Sequence, residues 1–308
     1  MQGRGGPIGV AALIALFVMA PAAHAKIDAS DVSGAKVREK SFTPDGVEPV
    51  GGSVNCPKGD RVLSGGAFWH EPSKNSPVKP EATGFPTLSA SMPTVLGRGW
   101  YAQGTSSQGE TLTIRILCTR AGHLNDYLLL AGTLYPDDGD PVAGTETCDP
   151  GHVAFTGGSG WALGYGEETP DHAERGLLAS NAIGEDRRTW YSDGLDVMDA
   201  QPNGVGIVRA IRCLPNKQLA KTVIRERSAP AAAGGEAAAK VACPGRQRAL
   251  AGGAAWHTGD GDPNIFTNAG IQGGSSAATK DRRGWYAHGD NEDTGGFRTL
   301  TVRVLCLK

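Results

Sequence analysis

Three arginines, Arg98, Arg188 and Arg283, each stand two residues before a Trp-Tyr pair: Trp100-Tyr101, Trp190-Tyr191 and Trp285-Tyr286. An arginine recurring at one offset could build a basic ring for an anionic glycan or a phosphate. It could equally stack on the neighbouring indole or pair with a local carboxylate such as Asp186 or Asp281. Two residues beyond each tyrosine the chain varies, with Gln103, Asp193 and His288, and glycine follows each. His70 and His257 follow Trp69 and Trp256, but Ala162 follows Trp161. Three loops are acidic: Asp137-Asp138-Gly139-Asp140, Asp260-Gly261-Asp262-Pro263-Asn264 and Asp290-Asn291-Glu292-Asp293. Asp260, Asp262 and Asn264 alternate as in a calcium loop, but the glycine at loop position six and the closing glutamate are missing, so solvated turns are expected. No nucleophile, base and orienter share a motif. Gly157-Gly158-Ser159-Gly160-Trp161 lacks the fifth-position glycine of a nucleophile elbow. The reading assigns no catalytic residue, metal or cofactor, although a carboxylate pair for glycoside hydrolysis is a matter of distance that sequence does not state.

These residues sit on a threefold internal repeat. Cys56-Pro57-Lys58-Gly59 recurs as Cys148-Asp149-Pro150-Gly151 and as Cys243-Pro244-Gly245. At one offset from each cysteine comes a glycine pair: Gly65-Gly66, Gly157-Gly158 and Gly252-Gly253. At a second offset comes Trp69, Trp161 or Trp256. Each unit closes on a strand-like run ending in Cys118, Cys213 or Cys306. The 6 tryptophans and 6 cysteines all occupy repeat positions. Upstream, Val37-Arg38-Glu39-Lys40-Ser41 resembles Ile224-Arg225-Glu226-Arg227-Ser228. The division is a signal peptide at 1–25, an N-terminal extension at 26–34, and β repeats at 35–126, 127–220 and 221–308.

The local period is two: Leu112, Ile114 and Ile116 alternate with Thr111, Thr113 and Arg115. The spacing predicts four or five antiparallel strands per unit, with Ala229–Lys240 as a loop. The fold class expected is all-β: three homologous antiparallel β repeats in a β-prism-like, pseudo-threefold body. The alternative is three tandem small β-sandwich domains. The glycine pairs mark bulges or close backbone approaches, so alanine at Gly65, Gly157 or Gly252 is expected to cost more than at Gly104. The tryptophans are expected in the core rather than on a carbohydrate platform.

Residues 1–25 read as an export signal: Arg4, an apolar run from Ile8 to Met19, then Ala23-His24-Ala25. The expected location is secreted, or periplasmic where the host has an outer membrane. In that compartment six regular cysteines imply three disulfides. Pairing within units gives Cys56–Cys118, Cys148–Cys213 and Cys243–Cys306. A ring pairing gives Cys118–Cys148, Cys213–Cys243 and Cys56–Cys306. The charge is nearly balanced, 30 Lys+Arg against 32 Asp+Glu. That argues against a nucleic-acid partner, and no apolar run is long enough to span a bilayer.

The repeat Cys-Pro-x-Gly, Gly-Gly, Trp, Gly-Trp and closing Cys resembles one found in uncharacterised exported bacterial proteins, often from actinobacteria. It is more loosely similar to vitelline membrane outer layer proteins. The first resemblance implies export and disulfides. The second implies three β repeats about a pseudo-threefold axis.

One closing strand departs from its siblings. Arg209 stands where the first and third units have Ile114 and Val302. An unpaired guanidinium is costly to bury, so either a bulge turns Val208 inward or Arg209 meets a carboxylate or a ligand pocket. The longer run from Trp190 to Cys213 favours the bulge. Arg98, Arg188, Arg283 and Arg209 are the candidate ligand-binding residues. The expected function is non-enzymatic binding or surface interaction, with a glycan or cell-envelope component as partner. The alternatives are an extracellular polysaccharide hydrolase and a purely structural secreted protein.

Overall fold

The computed structural model describes residues 26–46, 48–70, 86–94, 96–107, 109–120, 124, 128–135, 141–162, 176–196, 206–258, 271–291 and 296–308. The signal-peptide segment 1–25 and the acidic runs 137–140 and 260–264 lie outside these residues, as do Glu292 and Asp293.

The first unit forms β1 (Lys36–Phe42), β2 (Val50–Asn55), β3 (Asp60–His70), β4 (Thr87–Pro93), β5 (Gly99–Thr105) and β6 (Thr111–Arg120). The second forms β7 (Leu128–Leu134), β8 (Pro141–Thr147), β9 (His152–Ala162), β10 (Gly176–Ile183), β11 (Thr189–Asp196) and β12 (Gly206–Pro215). The third forms β13 (Thr222–Ala231), β14 (Gly235–Ala242), β15 (Arg248–Thr258), β16 (Ile271–Ala278), β17 (Gly284–Asn291) and β18 (Arg298–Leu307). Each unit therefore has six strands, more than the pattern predicts. The extra one is the second strand of each unit. The stretch Ala229–Lys240 is not a loop: β13 runs to Ala231 and β14 begins at Gly235. Small residues conceal the strand. Ala237, Ala239 and Val241 alternate into the core, between Glu236, Ala238 and Lys240.

Three antiparallel six-stranded sheets result, and each takes three strands from each of two units. Their orders are β1-β6-β3-β16-β17-β14, β13-β18-β15-β10-β11-β8 and β2-β5-β4-β9-β12-β7. The sharing is cyclic, so the units close into one prism rather than three separate sandwiches. Within a unit the two half-sheets face each other, and its disulfide joins them. The pairs are Cys56–Cys118, Cys148–Cys213 and Cys243–Cys306, as in the within-unit scheme, with Cα–Cα distances of 5.6, 5.7 and 5.5 Å. The bridged cysteines are 62, 65 and 63 residues apart in sequence, and closing loops of that length stabilises by about 4 kcal/mol on the chain-entropy estimate.

The seams between units are narrow. Ala67 pairs with Ser276, Ser91 with Ser159, and Asn181 with Ala254. The glycine pairs lie beside these seams and do two jobs. A Cβ on Gly65, Gly157 or Gly252 would fall 2.4–2.5 Å from the ring of Trp100, Trp190 or Trp285 in the same unit. A Cβ on Gly66, Gly158 or Gly253 would fall 2.3, 2.3 or 1.9 Å from the carbonyl oxygen of Ser276, Ser91 or Asn181 in the next unit. These glycines answer to close approach and not to positive φ. Gly104 is no tolerant control, because its Cβ would lie 1.9 Å from the Thr87 oxygen.

The bulges fall just upstream of the glycines. Leu63, Phe155 and Leu250 are the extra residues of β3, β9 and β15, and all three are fully buried in one core shared by the three units. The N-terminal extension packs into that core through Ile27 and Val32. There a six-residue helix, α1 (Ala29–Gly34), is capped by Asp28, whose carboxylate accepts from the Ser30 and Asp31 amides. All six tryptophans are at most 2 % exposed, so they are core, as expected.

Candidate functional site

On β5, β11 and β17 the tryptophans point into the unit core, so the residues at Tyr+2 lie on the opposite face of the sheet. The variable trio Gln103, Asp193 and His288 therefore occupies one equivalent place in three settings. In the first unit the Tyr101 hydroxyl donates to Gln103 Oε1. In the second, Asp193 is 7 % exposed, and burial pushes its carboxyl up to about 7 against hydrogen bonds from Ser180. In the third, His288 is 4 % exposed, and burial pushes its imidazole down to about 4.

His288 has company. Glu236 pairs with Asp290 across the β14–β17 ladder, and both side chains share the face of His288. His288 Nε2 lies 3.5 Å from Glu236 Oε2 and 3.9 Å from Asp290 Oδ1. Asp290 is 1 % exposed, and the Glu236 side chain 18 %. Among the described residues, neither His288 Nε2 nor Glu236 Oε2 has a hydrogen-bond partner. Burial raises the Glu236 carboxyl, and burial with the Glu236 charge pushes the Tyr286 phenol up to about 12. Next along the chain, the Asn291 amide donates to the oxygens of Ala231, Ala232 and Gly296 and so pins the turns around the cluster. The sequence marks His288 as variable and places Asp290 in an acidic loop. It does not join them to Glu236, because the ladder that brings Glu236 alongside belongs to the unrecognised strand β14.

The other wall of His288 borders a cavity of about 30 Å³ where β4, β10 and β16 converge, lined also by Ser91, Ser180 and Ser275. That is room for one or two waters, far below the several hundred Å³ of a small-molecule pocket.

The candidate arginines are held locally. Arg98, Arg188 and Arg283 end the turns before β5, β11 and β17, and each carbonyl accepts the amide of its own unit's first cysteine. The Arg188 guanidinium donates to the Cys148 oxygen and that of Arg283 to the Gly245 oxygen. Each of those two is therefore committed to its own cysteine loop.

Arg209 is a correction to the bulge reading. Pairing of β12 with β9 is unbroken from Gly206 to Arg212, and the extra chain length falls between β11 and β12. Arg209 keeps the place of Ile114 and Val302, where its Nη2 lies 3.1 Å from Glu146 Oε1 and its Nη1 donates to the Thr145 oxygen. Gly132 and Gly144 leave space for it: added Cβ atoms would meet the guanidinium at 3.1 and 2.6 Å. Glu146 stands two residues before Cys148, where the other units have Val54 and Val241. The second unit has exchanged an apolar pair for an ion pair, and that offset was readable in the sequence.

Two hydrogen-bonded chains recur on the first and third units. His70 Nε2 contacts Thr113 Oγ1, which contacts Ser41 Oγ. His257, Thr301 and Ser228 repeat the arrangement. The second unit has Ala162, Val208 and Thr133 at these places, so the chain is a feature of two units and not of the frame.

No known family model matches the chain, and no curated protein is similar to it.

Two predictions follow from these environments. Asp193 is protonated in the folded state up to about pH 7, while the unfolded carboxyl titrates near 3.8. The native state then binds the extra proton, so this group lowers stability by about 1.4 kcal/mol per pH unit between those values and adds nothing further above pH 7. Thermal melts of Asp193→Asn against the parent should show the variant more stable at pH 8, with the gap closing as pH falls to 4. Second, Arg209→Ile should cost about 1–3 kcal/mol by leaving Glu146 without its partner. Adding Glu146→Val, the residue type of both siblings, should return stability to the parent level or above. Denaturant titrations of the two single variants and the double variant measure this directly.

Proposed function

We propose that the protein is an exported, non-enzymatic binding or surface-interaction protein, and that its ligand is a glycan or another cell-envelope component. The observation that carries this reading is a pair of aromatic rings, Tyr135 and Phe297, that stand exposed among the described residues. One disulfide-closed frame repeats three times with a different side chain at the Tyr+2 place, Gln103, Asp193 or His288, but Asp193 and His288 are buried, so that variation lies inside the frame and not on a binding face.

The two ends of the prism differ, and the difference supports a location. One end is closed by the disulfides, α1 and the shared core. At the other end β7 finishes and β18 begins, and two aromatic rings stand in solvent. Tyr135 is 58 % exposed and Phe297 is 70 % exposed. Exposed rings suit stacking on sugar faces. The tryptophans do not, being buried. Hydrolysis of a polysaccharide is less well supported. Among the described residues Glu236 and Asp290 bring two carboxyl groups together, but Asp290 is 1 % exposed and the cavity beside His288 is too small for a sugar ring.

Binding to insoluble cell-wall polysaccharides tests the reading, with reducing-sugar release assayed on the same polymers. The oxidised protein should be retained without releasing product, and Tyr135→Ala with Phe297→Ala should reduce retention at least tenfold. Release of sugar would overturn the non-enzymatic reading. Absence of retention on every polymer would leave the structural role in its place.

A further inference from the structure

We infer that Glu236, His288 and Asp290 form a binding site for one divalent transition-metal cation of the zinc class. Three donor side chains, each offering one ligand atom, come together with those atoms within 4.8 Å of one another. A tetrahedral ion with bonds of about 2.1 Å holds its ligands about 3.4 Å apart. The separations of 3.5 and 3.9 Å around His288 Nε2 are already close to that edge.

Two further observations point to a ligand and not merely to a cluster. His288 is almost wholly buried, yet among the described residues its Nε2 faces two carboxylates without a hydrogen bond, and Glu236 Oε2 is likewise without one. A buried polar atom without a partner costs free energy that a bound cation recovers. Finally, the donors occur as a set. By ladder register the same three places hold Pro49, Gln103 and Thr105 in the first unit, and Pro141, Asp193 and Leu195 in the second. Neither sibling has more than one metal-ligating side chain there. The third unit has acquired all three together on an otherwise constant frame.

The donor set selects the ion. Calcium and magnesium prefer oxygen ligands, calcium six to eight of them, whereas an imidazole with two carboxylates suits zinc, cobalt or manganese. Three protein ligands leave a fourth position open, as in non-structural zinc sites. The partly exposed Glu236 side chain marks the way in. Competition from thiols is absent, because every cysteine is in a disulfide. This inference does not depend on the ligand proposed above.

Isothermal titration of the untagged, oxidised, chelator-treated protein with zinc chloride tests it, with calcium chloride titrated in parallel. One zinc per chain should bind saturably, and calcium should not. Glu236→Gln and His288→Gln should each weaken zinc binding about 100-fold or more, since even outer-shell changes at metal sites cost 10–100-fold. Glu236→His, which keeps a donor at the same accessible position, should retain binding. Circular dichroism and disulfide content check that the variants fold. The visible absorption of bound cobalt, present in the parent and lost in Glu236→Gln, gives a second reading on folded protein. The proposal is overturned by no saturable zinc binding at millimolar metal, by equal affinity for calcium, or by zinc binding that survives both glutamine variants.

Discussion

At Gly65-Gly66, Gly157-Gly158 and Gly252-Gly253 the backbone has a tryptophan ring against one residue and another unit's main chain against the next. No side chain fits at either position. The first glycine lets the indole of its own unit lie flat on the strand, which builds the unit's core. The second lets the fourth strand of the neighbouring unit come within hydrogen-bonding distance, which makes each sheet continuous across a seam. Serine hydroxyls complete two of the seams: Ser275 accepts from the Trp69 amide and Ser180 from the Trp256 amide. With the glycines in place, three half-open sandwiches become one closed body, and Leu63, Phe155 and Leu250 meet in its shared core.

A frame fixed in this way tolerates change elsewhere, and each unit has used that latitude differently. The first and third place a glutamate and an arginine side by side on neighbouring strands. Arg115 meets Glu39 and lies over the Phe68 ring, and Arg303 meets Glu226 and Glu185. The second has Ala131 and Ala210 there and moves its ion pair inward, to Arg209 and Glu146. It also buries Arg212, where its siblings have Leu117 and Leu305, and that guanidinium donates to the Thr94 oxygen of the first unit. The third gathers Glu236, His288 and Asp290. None of these exchanges touches the glycines, tryptophans or disulfides.

The repeat and the all-β class are legible because identical residues at identical offsets need no knowledge of partners, whereas within-unit and ring pairing of the cysteines fit those offsets equally and the structure decides for the first. What was hidden depended on pairing. β14 has one β-branched residue, Val241, among alanines, a glycine and two charges, and so reads as a loop, while a glycine pair interrupts β2 and a proline opens β8. With β14 unseen, Glu236 had no reason to stand beside Asp290. Arg209 was recognised as anomalous, but its answer lay in comparing Glu146 with Val54 and Val241, not in a bulge. The extension at 26–34 gave no periodic signal. It folds because Ile27 and Val32 cover an apolar end that the strands leave open. Gly104 was read as ordinary because its constraint, the Thr87 oxygen, comes from a strand paired across the sheet.

If seam and core are one system, the units cannot melt independently, since removing any one leaves two sheets with bare seam edges. Differential scanning calorimetry of the oxidised protein measures this most directly. The cyclic sharing of strands predicts one transition, with calorimetric and van't Hoff enthalpies equal. Three resolved transitions, or a van't Hoff enthalpy about one third of the calorimetric value, would mean three independent domains and contradict the account.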